Sequence, residues 1–300
     1  MGAEERYEVV LNPAAGDAGE ALEERIESAF GSARVRARIT SVSDAGSLEE
    51  RAREAAARAD TVVAAGGDGT ARAVAAALLR HDPAPILAVL PLGTRNHFAR
   101  DLGIPDDLSA AIDVALEGGS ARIDAGEVEG RIFLNNASIG LYPRIVEERP
   151  RRENGSGALG LLWATVKVLF RRHPHLHVTV QADGESLSAR TQFVFVGNNE
   201  YRLEGAELGS RARLDAGVLT LCVSERSGRT DLLRWVARSL LGRLEVAPDL
   251  TTRLVQEARV DARRDTIRVA LDGEVLLMAP PLHYRIREGA LTVKVPPREA

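Results

Sequence analysis

The sequence is short of cysteine and lysine. Cys222 is the only cysteine in 300 residues, so the chain can form neither an intramolecular disulfide nor a cysteine-based zinc site. Lys167 and Lys294 are the only lysines, and arginine supplies every other positive charge among the 39 basic side chains. Neither lysine stands where a P-loop or a protein-kinase strand would need it. Both of these lysine-dependent kinase classes are therefore excluded.

Long hydrophobic runs and a strong net charge are also missing. No apolar stretch approaches the ~18 residues of a membrane-spanning helix, and the N-terminus lacks a basic segment followed by an apolar core. We therefore expect a cytoplasmic protein whose only membrane contact is peripheral, at the inner face. The net charge of −4 argues against nucleic acid as a partner. The length of 300 residues suggests about two domains.

The first 124 residues alternate short apolar runs with helical patterns. Such alternation indicates βαβ units, and we predict a Rossmann-like α/β domain with a parallel sheet. Ligands of these sheets bind beyond the carboxyl ends of the strands. The predicted strands are Tyr7–Leu11, Val35–Thr40, Thr61–Ala65 and Ile86–Leu90, and the predicted helices are 21–30, 48–58, 71–80 and 97–102.

The pattern changes near residue 125. Period-two alternation separated by Gly, Asn and Asp predicts a mainly antiparallel β-sandwich over residues 125–287. Two helical patterns interrupt it, at Gly157–Arg172 and Thr230–Leu244. We expect the final strand, Leu291–Val295, to return to the first domain, so that residues 288–300 belong with residues 1–124.

One glycine-rich loop carries the strongest local signal. Gly66, Gly67, Asp68, Gly69 and Thr70 follow a predicted strand and precede a predicted helix. Glycines allow backbone amides to approach a phosphate closely. A carboxylate in such a loop repels phosphate unless a divalent cation lies between them. We therefore predict a phosphate-binding loop with a metal ion at Asp68, in preference to a plain tight turn.

Two further loops follow neighbouring strands. The segment from Asn12 to Gly16 offers an amide side chain and a glycine backbone, although a plain turn explains it equally well. The segment from Pro91 to Asn96 offers a hydroxyl at Thr94 and a guanidinium at Arg95. Without a lysine, the positive partner of a phosphate has to be an arginine, a backbone amide or a metal ion.

Three motifs stand in a distinctive order: LNPAAG, GGDGT and PLGTRNHFARDLGIP. In that order and spacing they resemble the catalytic domain shared by diacylglycerol kinases, sphingosine kinases and soluble bacterial lipid kinases. The resemblance continues through FLNNASIGLYPRIV, FVGNNEYRLEGAELGSRARLDAGVLTLCV and LDGE. The set is specific, whereas GGDGT alone is not, because NAD kinases carry a similar loop.

The resemblance implies an ATP-dependent lipid kinase. It implies ATP and Mg²⁺ along the loops of the first domain, and a membrane lipid such as diacylglycerol whose hydroxyl is presented in an interdomain cleft. The nucleotide contacts that it implies are Asn12, Pro13, Ala14, Ala15, Gly16, Thr40, Gly66, Gly67, Asp68, Gly69, Thr70, Thr94 and Asn96.

The LDGE segment is similar to the acidic pair of this family. The resemblance implies that Glu274 is the general base, while Asp272 acts as a base or as a partner of water and metal, and Asp68 completes the catalytic set. A carboxylate suits this task because a lipid alcohol is a poor nucleophile until its proton is accepted. Asp-Gly is also a common hairpin turn, and without the resemblance that interpretation is the favoured one.

The sequence departs from the family pattern at three positions. Arg72 and His97 stand where the bacterial pattern often has Asn and Asp. Ala216 replaces the carboxylate that usually holds a structural Mg²⁺ in the second domain, which leaves Asp215 as a substitute metal ligand. A hard cation held mainly by neutral oxygens binds weakly. We therefore predict that this second metal site is degraded.

Two other features suggest binding but have simpler explanations. The apolar stripe of Thr230–Leu244 fits a membrane interface or, more favourably, packing on the sandwich. His173, His175 and His177 alternate along a strand, where a solvated face is favoured over a metal site. Two alternative functions stay open: a kinase of a soluble alcohol such as NAD, and a non-catalytic nucleotide- or lipid-binding regulator. A homodimer is also left open.

Overall fold

The chain forms two compact units in the computed structural model. The first comprises Met1–Ala125 with Glu288–Ala300, and the second comprises Gly126–Arg287. The structure describes residues 5–13, 19–42, 44–140, 143–144, 176–191, 193–202, 210–224 and 250–297. The predicted helices Gly157–Arg172 and Thr230–Leu244 lie outside the described residues.

The first unit is built on a parallel sheet in the order β2-β1-β3-β4, with the end of β16 beside β4. This architecture confirms the predicted α/β class. The strands are β1 Tyr7–Leu11, β2 Ala37–Ser41, β3 Thr61–Gly66 and β4 Ile86–Pro91, and the helices are α1 Gly19–Ser32, α2 Ala45–Ala56, α3 Asp68–Leu78, α4 His97–Asp101 and α5 Leu108–Glu117.

Burial explains why these elements form. Strands β1 and β3 are buried throughout their length, as expected of parallel strands covered on both faces. Helix α5 was not predicted from the sequence. Its start nevertheless carries a capping signal, because the Asp107 carboxylate accepts a hydrogen bond from the backbone N–H of Ala110 at 2.9 Å.

The second unit is antiparallel, which confirms the predicted sandwich. One sheet has six strands in the order β12-β11-β10-β7-β14-β15, and the facing layer contains β13, β8, β9 and the first part of β16, with β5 and β6 alongside. These strands are β5 Gly119–Val128, β6 Arg131–Phe133, β7 Asn136–Gly140, β8 Leu176–Ala182, β9 Glu185–Thr191, β10 Phe193–Asn198, β11 Leu219–Ser224, β12 Leu250–Val255, β13 Glu257–Ala262, β14 Ile267–Leu271, β15 Glu274–Met278 and β16 Leu282–Val295. Residues 119–125 of β5 and 288–295 of β16 belong to the first unit.

The core of the second unit lies between its two layers. Val180, Val260 and Tyr284 from one layer share a buried cluster with Val196 and Leu221 from the other. Apolar side chains at alternate positions of antiparallel strands point to the same face, so this packing follows from the period-two pattern.

Strand β16 carries the chain from the second unit back to the first. It pairs antiparallel with β13 through Leu282 to Arg285, and Val293 pairs in parallel with Leu87 of β4. The strand therefore begins nine residues before Leu291, the predicted start, at Leu282. Among the described residues, no helix has the length and apolar character that a membrane crossing needs.

Candidate active site

The glycine-rich loop joins β3 directly to α3. Gly66 ends the strand, Gly67 is the N-cap, and the helix begins at Asp68. A Cβ atom on Gly66 would lie 2.7 Å from Cβ of Thr70, so the strand can end this close to the helix only with glycine there. By contrast, no atom of the described residues lies within 4 Å of a Cβ atom built on Gly69. Within that part of the chain, the space beside Gly69 is open.

Asp68 connects this loop to the one that follows β4. Its carboxylate accepts hydrogen bonds from the backbone N–H of His97 at 3.1 Å and of Phe98 at 2.9 Å. These are the first two residues of α4, and a negative charge is favourable at such an end. A carboxylate has about four lone-pair sites, so accepting N–H bonds does not prevent it from binding a cation as well.

The two loops approach backbone to backbone. A Cβ atom on Gly93 would lie 2.7 Å from Cα of Gly67 and 2.8 Å from Oδ1 of Asn96. Asn96 has a positive φ of 45° and donates from Nδ2 to the carbonyl oxygen of Gly93 at 2.6 Å. Asparagine tolerates this left-handed conformation better than most residues. The amide of Asn96 therefore holds its own loop closed, while Thr94 is exposed.

Asn12 ties the first loop to the second. Its Nδ2 donates to Oγ1 of Thr70 at 3.3 Å, and its backbone N–H donates to the carbonyl oxygen of Ala65 at 2.9 Å. The three loops singled out in the sequence thus contact one another at the carboxyl edge of the parallel sheet.

Thr40 lies on β2, paired with Val10 of β1. Ala14, Ala15 and Gly16 fall outside the described residues.

His97 lies beside the Asp68 carboxylate, to which its backbone N–H donates. Desolvation of its imidazole lowers the pKa of His97 below the usual value, and the Asp68 carboxylate opposes that shift. The imidazole therefore favours its neutral form near pH 7, as a hydrogen-bonding group rather than a fixed positive charge.

The acidic pair of the second unit lies on a β-hairpin. Asp272 and Gly273 have φ values of 48° and 89°, and Leu271 pairs with Glu274 across the two-residue turn. Two central residues at positive φ make a turn of type I′, for which Asp-Gly is a preferred sequence. The hairpin that the sequence alone favours is therefore present, and it carries both acidic side chains.

The two carboxylates of the pair have different surroundings. Asp272 accepts hydrogen bonds from the backbone N–H groups of Leu134 at 2.7 Å, Asn135 at 2.8 Å and Asn136 at 2.9 Å. Glu274, at the start of β15, is exposed to solvent. The carboxylate of Asp272 thus anchors the turn, whereas that of Glu274 is accessible from outside.

The predicted second metal site contains an ion pair. Nε of Arg213 donates to Oδ1 of Asp215 at 3.0 Å, and the backbone N–H of Ala216 donates to Oδ1 of Asn199 at 2.8 Å. Within the described parts of the chain, no three His, Cys, Asp or Glu side chains come together as metal ligands. His177 is exposed on β8, and His173 and His175 lie outside the described residues.

Two family models divide the chain between them. Residues 6–128 match the diacylglycerol kinase catalytic domain, and residues 139–295, slightly more than half of the chain, match the YegS C-terminal NAD kinase beta sandwich-like domain. The chain belongs to the bacterial lipid kinase family of diacylglycerol kinase type. It is therefore a phosphotransferase with an alcohol acceptor.

Individual known proteins are also similar to this chain, in sequence or in fold. A diacylglycerol kinase from Staphylococcus aureus (strain bovine RF122 / ET3-1) is 26% identical over 215 residues, which cover 72% of this chain and 68% of the relative. A solved protein from Bacillus anthracis str. Sterne superposes with a TM-score of 0.77 at 21% identity, covering 98% of this chain and 97% of that one. A solved diacylglycerol kinase from the same strain gives a TM-score of 0.71 at 19% identity, covering 98% of both chains. The two solved proteins show that the fold is shared.

The loops of this kinase fit magnesium bound together with a nucleotide. Mg²⁺ usually takes one or two protein carboxylates and completes its shell with phosphate oxygens and water. Asp68 supplies one carboxylate, and the open space beside Gly69 lies next to it. A dedicated cage of several acidic side chains is not required for this mode of binding.

Sequence reasoning missed the residues that hold Asp272. Leu134, Asn135 and Asn136 belong to a motif that marks the lipid kinase family, but nothing in the sequence assigns them to Asp272. Arg211 is 5% exposed and contacts the same segment. A buried arginine has no sequence signature, because arginine is usually a surface residue.

Proposed function

We propose that this phosphotransferase is an ATP-dependent lipid kinase, which transfers the γ-phosphate of ATP to a hydroxyl of a membrane lipid such as diacylglycerol. The observation that carries the proposal is the joining of the GGDG loop to the N-terminus of α4 through the Asp68 carboxylate. That contact brings a carboxylate, glycine backbone and a neighbouring helix end together within a matched kinase catalytic domain.

The first unit would hold ATP. The backbone of Gly66 to Gly69 suits the phosphates, because glycine lets a phosphate approach the chain closely. Thr70, whose N–H donates to the carbonyl oxygen of Gly67 at 3.0 Å, would contribute its hydroxyl. Asp68 would hold Mg²⁺, which supplies neutralisation of phosphate charge when it is bound. The other proposed nucleotide contacts are Asn12, Pro13, Ala14, Ala15, Gly16, Thr40, Thr94 and Asn96.

The second unit would activate the acceptor hydroxyl. Glu274 is the proposed general base, since its carboxylate is exposed and can accept the proton of an alcohol. Asp272 is the proposed anchor of the turn, since its oxygens are engaged by three backbone N–H groups. The second metal site is proposed to be degraded, which the pairing of Asp215 with Arg213 supports.

Membrane contact is proposed to be peripheral, at the inner face of the cytoplasmic membrane. It rests on the arginine-flanked apolar patterns at Gly157–Arg172 and Thr230–Leu244. Sedimentation with vesicles of increasing anionic lipid content tests it. Binding should rise with anionic content, and binding that is indifferent to lipid charge contradicts the proposal.

The oligomeric state is a separate question. Light scattering in the same buffer distinguishes a monomer from a homodimer.

A substrate panel tests the function directly. Purified protein is incubated with radiolabelled ATP, Mg²⁺ and either NAD or vesicles that contain diacylglycerol or another lipid alcohol. Label in a lipid product and none in NAD is the expected result. The alternative of a soluble-alcohol kinase, which the YegS-type match keeps open, predicts label in NAD. ATP binding without transfer to any acceptor favours a regulator.

A further inference from the structure

A buried arginine contacts the backbone segment that holds the acidic hairpin of the second unit. Arg211 is only 5% exposed. Its guanidinium donates to the carbonyl oxygen of Leu134 at 2.6 Å, to Oδ1 of Asn135 at 2.7 Å and to the carbonyl oxygen of Asn198 at 3.2 Å. It also lies over the ring of Tyr201, 5.4 Å from the centroid. One side chain thus links two separate backbone segments and an aromatic ring.

Two further side chains support the same backbone segment. The hydroxyl of Tyr201 donates to the carbonyl oxygen of Asn135 at 2.9 Å, and Nδ2 of Asn198 donates to the carbonyl oxygen of Leu134 at 2.9 Å. The carbonyl oxygen of Leu134 thus accepts from Arg211 and Asn198, and that of Asn135 accepts from Tyr201 and, at 2.8 Å, from the backbone N–H of Asn198. This cluster is built from conventional hydrogen bonds around one buried cation.

The N–H groups of the same segment point to the other charged group. The Asp272 carboxylate accepts from Leu134, Asn135 and Asn136, and the backbone N–H of Asp272 donates to the carbonyl oxygen of Asn136 at 2.9 Å. The peptide group between Leu134 and Asn135 is thus hydrogen-bonded to a cation, Arg211, through its oxygen and to an anion, Asp272, through its nitrogen. Charged partners at both ends polarise and strengthen such bonds.

The hairpin connects the anchored residue, Asp272, to Glu274. Only Gly273 separates Asp272 from Glu274, and the turn is closed by the pairing of Leu271 with Glu274. A shift of the Leu134–Asn136 segment would move Asp272 and, with it, the start of β15. The position of the Glu274 carboxylate therefore depends on what holds that segment.

We propose that Arg211 is a positioning residue for Glu274, acting through the Leu134–Asn136 segment and Asp272. This inference rests on the proposed role of Glu274 as the proton acceptor. Apolar side chains often replace a buried charge without loss of stability, so packing alone does not call for arginine here. A planar guanidinium can donate in several fixed directions at once, which a lysine ammonium on a flexible stem cannot reproduce.

Arg211→Lys tests the proposal because it keeps the charge and removes the planar fork. The expected kcat falls by roughly tenfold, and by up to about 100-fold if Glu274 is displaced by about 1 Å. The KM for ATP, which is bound by the other unit, stays within about twofold of the parent. Arg190→Lys, the same change at an exposed position of β9, is the matched control and leaves both constants unchanged.

A double-mutant cycle with Glu274→Gln separates positioning from general destabilisation. If Arg211 acts through Glu274, adding Arg211→Lys to Glu274→Gln lowers kcat no further. Losses that multiply in the double variant overturn the proposal, as does an Arg211→Lys kcat equal to that of the parent. Should Arg211→Lys fail to fold, Tyr201→Phe serves in the same cycle, because it removes the hydroxyl that donates to Asn135 and keeps the ring beneath the guanidinium.

The cycle is run on whichever acceptor the parent protein phosphorylates, so it stays independent of the lipid assignment. If NAD is labelled instead of lipid, the proposed lipid kinase function is wrong. The cycle run with NAD as the acceptor still tests the role of Arg211. If no acceptor is labelled, amide hydrogen exchange measures the anchoring itself. Arg211→Lys should then accelerate exchange at Leu134 to Asn136 and at Asp272, relative to Arg190→Lys. Unchanged exchange at those amides overturns the proposal.

Discussion

At the scale of single residues, different physical reasons explain why glycine occupies each position of the loops. Gly66 and Gly93 are required by close packing, because a Cβ atom on either would meet another atom at 2.7 Å. Gly69 has no such neighbour within 4 Å among the described residues, although it lies in the first turn of α3, where alanine would be the better helix former. Packing among those residues does not require glycine here, and we propose that a ligand does.

Gly69→Ala should separate ligand binding from stability. The free energy of unfolding should stay the same or rise by up to ~1 kcal/mol, the usual helix preference for alanine over glycine. The affinity for ATP should fall by roughly tenfold or more, since the new methyl group occupies the space beside the loop amides. Chemical denaturation and calorimetric titration with ATP measure the two effects.

Gly31→Ala is the control for this substitution. Gly31 lies in α1, is exposed, and would also place its Cβ atom in open space. It should gain similar stability and keep its ATP affinity. Two results contradict a nucleotide site at Gly69: an equal loss of ATP affinity in both variants, or no loss of ATP affinity in either.

Ala216→Asp should restore a divalent cation site in the second unit. Asp215 is now paired with Arg213, and a second carboxylate would supply the charged oxygen that a hard cation prefers. In calorimetric titrations without nucleotide, the parent should bind Mg²⁺ weakly and the variant at least tenfold more tightly. Tight binding by the parent shows instead that the site is intact.

At the scale of elements, the acidic hairpin depends on a backbone segment distant in sequence. Asp272 serves as the acceptor for three successive N–H groups, at a positive φ of 48°. Asparagine tolerates this conformation and retains one acceptor oxygen, whereas alanine offers neither advantage. The identity of this residue therefore bears on stability as well as on chemistry.

Asp272→Ala should lower the free energy of unfolding by about 2–4 kcal/mol, because N–H groups away from water lose their acceptor. Asp272→Asn should cost about half as much. Urea denaturation of both variants measures the difference. Equal stability of the two variants would show that the carboxylate does not anchor the Leu134–Asn136 segment.

Some elements could be predicted from the sequence and others could not. Strand β1 has the predicted bounds because its apolar run is buried on both faces. Helix α3 begins at Asp68, before the predicted start at Ala71, because glycines disguise its first turn. The GGDG loop was located by its own residues. The contacts of Asp272 span 136 to 138 positions, and no local pattern predicts them.

At the scale of the whole molecule, the shortage of lysine agrees with the phosphate-binding mode that we propose for this kinase. In that mode the glycine backbone of the loops, helix ends and a metal ion at Asp68 would take the place of a lysine ammonium. The parallel unit carries these loops, and the antiparallel unit carries the acidic hairpin. Phosphoryl transfer needs mainly positioning and neutralisation of charge, and these groups can supply both.

Asp68→Asn gives the most direct test of the account, with transfer of radiolabelled phosphate from ATP to diacylglycerol in vesicles as the measurement. Asparagine keeps an acceptor oxygen for the N-terminus of α4 but loses the charge that holds Mg²⁺, so the fold should be retained. Asp113→Asn, at an exposed position of α5, is the control and should transfer as the parent does. Asp68→Asn should lower lipid labelling by roughly 100-fold or more. Labelling at the parent rate would show that the Asp68 carboxylate does not hold a metal ion needed for transfer.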